Sequence, residues 1–207
     1  MNVPVALANV EFMETFTAWA QDLAHTLLAD ALPRRWAHVQ GVAAQARALA
    51  PSLGAEADLL EAAAWLHDIG YAPELAATGM HGLDGACYLR DTQHAEPILC
   101  RLVAHHSCAV IEAEERGLAH VLNREFAPPP RPLADALTFC DMTTSPDGER
   151  VNVTSRLAEI HNRYGDGHLV SRSMHRATPL ILEAVSHVTR GTATRHDPPG
   201  NAQGAAS

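Results

Sequence analysis

Apolar residues at helical spacing, interrupted by proline and glycine, run through nearly all of this 207-residue chain, and no segment alternates as a half-buried strand would. Phe12, Phe16, Trp19, Leu23 and Leu27 place an amphipathic opening helix over residues 11–32. Pro33 suits a first helical turn, where its missing N–H has no partner to lose, and the next helix runs through His38, Val42, Gln45 and Leu49 until Pro51 stops it. A third, Ala-rich helix begins near Ala55 and carries Leu59, Leu60, Ala63 and Leu66 to Gly70, a residue fitted to a helix end. Short helices over residues 81–90 and 96–106, weaker ones over 111–126, a proline-rich break at 127–132 and a helix over 133–141 follow. A turn at residues 145–148, a helix capped by Thr154 and ending at Tyr164, and a final helix pair over residues 169–189 complete an all-α reading.

Against that helical frame, one series of polar residues stands out: His38, His67-Asp68, His81, His105-His106 and Asp141. Each lies on or beside a helix, several at a helix end, so the helices can bring them to one point. Imidazole and carboxylate are the ligands a first-row divalent metal takes when its site stays open to water; cysteine-rich sets favour closed structural zinc. Asp68 at a helix end can offer one oxygen to each of two ions and bridge them. His38 and His67 complete one ion with Asp141, and His81, His105 and His106 supply the other. Neighbouring helical residues point about 100° apart, so one of His105 and His106 is free to serve substrate instead. Spacing alone leaves metal binding balanced against satisfied core histidines, since the chain has 13 histidines.

The formal net charge is −9, and all fifteen basic residues are arginine. That composition speaks against a nucleic-acid surface, but an arginine or two in a pocket holds a small anion well. Arg34 and Arg35, one turn before His38, and Arg101, one turn before His105, are the candidate substrate ligands, each weighed against an ordinary salt bridge. No apolar run has the length of a membrane span and no leader pattern opens the chain, so a cytoplasmic protein without membrane contact is expected. Cys87, Cys100, Cys108 and Cys140 lack CxxC spacing and read as reduced, mostly buried thiols.

The segment Arg35-Trp36-Ala37-His38-Val39, the run Ala64-Trp65-Leu66-His67-Asp68-Ile69-Gly70-Tyr71 and Asp141 after an apolar helix resemble the HD-domain superfamily of metal-dependent phosphohydrolases, whose pattern is H…HD…D. The likeness covers about residues 33–145. Motifs around His81 and His105-His106 resemble the extra histidines of two-metal members. Ser107-Cys108-Ala109 replaces the GYP motif, and Tyr71 stands where HD-GYP phosphodiesterases carry lysine, so the chain is more similar to small bacterial HD-domain proteins than to that branch.

The resemblance implies a compact helical bundle with the metal at its centre. Residues 1–32 form an N-terminal helix on the core, 33–145 the metal-binding core, 146–189 C-terminal helices completing the same domain, and 190–207 a disordered tail. It implies catalysis through His67 and Asp68 with one or two divalent ions (manganese, iron, nickel, cobalt, zinc or magnesium). The expected reaction is hydrolysis of a nucleotide or other small phosphate ester by metal-activated water, and homo-oligomerisation stays open. Two alternatives share the ligand set: an HD-fold mixed-valence di-iron oxygenase, and a non-catalytic nucleotide-binding regulatory module.

Overall fold

The computed structural model describes the backbone of residues 5–193 and the side chains of residues 16–192. Ten α-helices occupy most of that span, and the one strand-like pairing among the described residues is an antiparallel bridge between Thr144 and Arg150. No helix among them is long and apolar enough to cross a membrane.

Helices α1 (Val5–Leu28), α2 (Pro33–Leu53) and α3 (Ala57–Leu66) form the first layer, with α3 packed between the other two. Its sequence explains the position. Leu60, Ala62, Ala63, Ala64, Trp65 and Leu66 are all buried, and the alanines let two neighbouring backbones come close. Fully enclosed leucines such as Leu60 and Leu66 each contribute about 1.5–3 kcal/mol of burial. Trp36 of α2 stacks on Trp65 of α3 at 5.5 Å between ring centroids, which fixes the register of the pair.

Helices α4 (His81–Asp91) and α5 (Pro97–His105) pack on each other, and α6 (Ala109–Glu115) and α7 (Ala119–Glu125) follow. Helix α8 (Arg131–Met142) runs through the middle, touching α2, α3 and α5, while α9 (Val153–Tyr164) and α10 (Leu169–Ala193) cover its other side. A second apolar cluster of Ile111, Met142, Leu157, Ile160, Ala177 and Ile181 joins α9 and α10 to the rest.

Two glycines bring the functional segments together. A Cβ on Gly70 would fall 2.0 Å from the carbonyl oxygen of His81, so only glycine lets the turn after His67-Asp68 lie against the start of α4. Gly148 has φ +83°, and a Cβ there would meet the carbonyl oxygen of Ala37 at 2.4 Å; this contact presses the loop after α8 onto α2, beside His38.

Several expected boundaries move. Pro51 lies inside the last turn of α2, which continues to Leu53 and ends at Gly54 with φ +58°. A proline so near the end removes one N–H without preventing that last turn from closing. Asn152, not Thr154, caps α9, its side chain accepting the Ser155 N–H at 2.7 Å. The final pair is one helix, α10, with Pro179 inside it. It includes residues 190–193, the start of the expected tail; residues 194–207 lie outside the described residues.

Candidate metal centre

Three histidines converge with the same ring nitrogen tied to backbone. His67, just past the end of α3, donates from Nδ1 to the carbonyl of Ala64 at 2.8 Å. His106, just past α5, donates from Nδ1 to Val103 at 2.6 Å. Both carbonyls belong to last helical turns, where oxygens lack an intrahelical donor. His38 donates from Nδ1 to Ser145 O at 2.9 Å, across the contact made by Gly148. In the neutral ring each of these bonds leaves Nε2 as a lone pair, the form that ligates a metal.

Those lone pairs face carboxylates. Asp68 Oδ2 is 3.4 Å from His67 Nε2 and 3.8 Å from His38 Nε2, while its Oδ1 is 3.4 Å from His81 Nε2 and 3.9 Å from His106 Nε2. The carboxylate therefore separates two groups of imidazoles, one per oxygen. Asp141, near the end of α8, sets Oδ1 3.1 Å from His38 Nε2 and 4.0 Å from His67 Nε2, and its Oδ2 accepts the Ser107 hydroxyl. Two donor sets result: His38, His67 and Asp141, and Asp68, His81 and His106, the donor atoms of each lying within 4.8 Å of one another.

Burial decides the charge states. It pushes His67 down to about 4 despite the pull of Asp68 and Asp141, so the ring is neutral at neutral pH. Burial, then the neighbouring His106, also holds His81 well below its ordinary value. Burial alone would raise Asp68, but Arg35 and the surrounding histidines outweigh it and keep the carboxyl ionised. At Asp141 the close approach of His38 and the charges nearby, Arg156 among them, likewise overcome burial and hold the carboxyl below its ordinary range. His67 Nε2 is a buried acceptor without a hydrogen-bond partner, turned toward two carboxylates. Acceptor facing acceptor is unfavourable unless a cation sits between them, so the donors present fit a divalent ion.

Of the expected ligands, His38, His67, Asp68, His81, His106 and Asp141 come together and His105 does not. His105 donates from Nε2 to Phe126 O at 2.8 Å, away from both groups. The physical reason is the backbone: His106 is extended at φ −57° and ψ 151°, and Ser107 (φ +48°) and Cys108 (φ +62°) are left-handed, so the helix stops between the two rings. Arg34 is exposed and paired with Asp147 at 2.8 Å, and Arg101 donates to the carbonyls of Ala127 and Pro128; neither reaches the site. Arg35 does, but its NH1 is bound to Asp68 Oδ2 at 2.6 Å and its guanidinium lies 4.0 Å over the Tyr71 ring, so it orients the carboxylate. Tyr71 in turn stacks on His81, with centroids 4.0 Å apart.

All four cysteines are free thiols. Burial pushes Cys108 up to about 11 and raises Cys140 further, and neither belongs to a donor set.

A cavity of about 80 Å³ opens beside the second donor set, lined by Asp68, His81, His106 and Asp141 and by Arg156, Arg163 and Tyr164 of α9. The sequence reading missed Ser107 and Arg156. A signal for Arg156 existed: it falls in the stripe Val153, Leu157, Ile160 and Tyr164, where helical periodicity calls for an apolar side chain. Ser107 had none, because its role depends on the left-handed backbone.

The sequence model of the HD domain matches residues 35–185. No curated protein and no solved structure matches the chain significantly.

Proposed function

The chain belongs to the HD domain family, largely one of metal-dependent phosphohydrolases, and from that premise we propose that it hydrolyses a small phosphate ester at a two-ion centre bridged by Asp68. The observation that carries this reading is the unpartnered Nε2 of His67, its tautomer set by Ala64 and its lone pair directed at Asp68 and Asp141. His38, His67 and Asp141 would hold one ion, and His81 and His106 the other. Bound divalent ions bring the pKa of water toward neutrality and draw charge from phosphoryl oxygens.

The chain's own residues prepare that chemistry. Backbone carbonyls orient three imidazoles, Arg35 holds Asp68 ionised, and Ser107 holds Asp141, so little reorganisation is needed on binding. The test is elemental analysis of the purified protein combined with a phosphate-ester panel. Bound transition metal with phosphate release that disappears in His67→Ala and Asp68→Ala is expected. Full activity in both variants without bound metal would overturn the reading, and oxygen uptake without phosphate release would replace it with the di-iron oxygenase.

A further inference from the structure

Arg156 is a buried cation with one shared hydrogen-bonded carboxylate and an unpartnered donor. It is 6% exposed, its NH1 donates to Glu159 Oε2 at 2.5 Å, and its Nε is buried without a partner. Glu159 is shared: Arg163 donates to it through Nε and NH2 at 2.5–2.9 Å. One carboxylate thus serves two guanidinium groups. Keeping a guanidinium buried with an unpartnered Nε is costly, and apolar side chains occupy the neighbouring positions of the same stripe. Arg156 lines the cavity beside the metal ligands and also a second cavity next to His38, and its charge reaches Asp141. With Arg35 and Arg163 on the same lining, a mobile anion in that cavity would give Arg156 a further acceptor.

The cavity of about 80 Å³ has room for a phosphoryl group, and its lining adds Ile111, Met142, Val170, Met174 and Glu112 to the charged groups already named. The second cavity, of about 300 Å³, shares Arg35, Arg156 and Arg163 with it, so Arg156 stands between two spaces.

We infer that Arg156 is the phosphate clamp of this site, holding the phosphoryl oxygens of the substrate that do not react. The inference deepens the phosphohydrolase reading and rests on it for the word substrate; the anion site itself does not.

Inorganic phosphate is titrated calorimetrically into the full-length protein, with metal content measured on the same samples, for wild type, Arg156→Gln, Arg156→Lys and Glu159→Gln. Arg156→Gln should weaken phosphate about 10- to 100-fold at unchanged metal content, as expected for a charged hydrogen-bonding partner, and Arg156→Lys should recover part of the loss. Glu159→Gln removes the competing carboxylate and should tighten phosphate several-fold. A purely structural role would not produce that sign, and the measurement decides even if Arg156→Gln fails to fold. Equal phosphate binding in wild type and Arg156→Gln, or weaker binding in Glu159→Gln, overturns the clamp. Absence of metal and turnover while phosphate still follows Arg156 and Glu159 would remove the hydrolase and leave the anion site.

Discussion

Gly70 and His81 lie so close that a Cβ on the first would fall 2.0 Å from the carbonyl oxygen of the second. This contact joins the turn carrying His67 and Asp68 to the helix carrying His81, and so sets the spacing between the two candidate donor sets. Gly70→Ala must push α4 away, and overpacking of this kind costs about 1–3 kcal/mol. Thermal unfolding should register the loss, and metal analysis should show depletion of the ion held by His81 before the other. A variant with wild-type stability and metal content would contradict the close approach.

The two donor sets predict separable losses. His81→Ala should leave one ion per chain, held by His38, His67 and Asp141, whereas Asp68→Ala, which removes the shared carboxylate, should deplete both. Elemental analysis after gel filtration distinguishes them. Identical stoichiometry in the two variants would argue for a single ion.

Ser107 donates to Asp141 from a left-handed backbone. Groups that orient a ligand without touching the metal are worth about 10- to 100-fold in affinity, so Ser107→Ala should weaken metal binding by that factor while the protein stays folded. Competition with a chelator of known affinity reads the change; an unaltered affinity would remove Ser107 from the centre.

His105→Ala is the control. Its ring serves Phe126 O, so metal content should match wild type, with a stability loss of about 1 kcal/mol for one hydrogen bond. Loss of an ion in this variant would restore His105 as a ligand.

Acid should destabilise the metal-free protein in a defined window. Burial pushes His67 down to about 4 from its ordinary 6.5, so between those values the unfolded chain takes a proton that the folded chain excludes. Stability from this group is full above about pH 6.5 and falls as pH drops toward 4, by on the order of 3 kcal/mol. Asp68 and Asp141, held below the ordinary carboxylate range, lose their contribution at still lower pH, in the same direction. Melts of chelator-treated protein from pH 7 to 4 should show the decline; a flat profile would mean His67 is not buried as a neutral ring.

Helix content and most of the candidate donors were legible because they depend on local rules. The stripe through Phe16, Trp19, Leu23 and Leu27 marks α1, and the Ala/Leu run before His67-Asp68 marks both a buried helix and its end. The expected grouping put His38 and His67 with Asp141, and His81 with His105 and His106; the structure keeps the first group, places Asp68 with His81 and His106, and turns His105 away. Arginine roles were not legible. Arg34 finds Asp147 and Arg35 finds Asp68 across long stretches of chain, and no one-turn offset from a histidine reveals such partners.

The sequence by itself determined that this chain is helical and which side chains could meet a metal, since periodicity and residue chemistry are properties of short segments. Tertiary structure decided which of His105 and His106 faces the centre, what Arg35 holds, and that Arg156 is buried beside the cavity. These outcomes depend on backbone reversals at Ser107-Cys108 and on approaches of distant elements at Gly70 and Gly148. Such contacts arise only when the whole chain packs, because each direction is chosen by a partner far away in sequence.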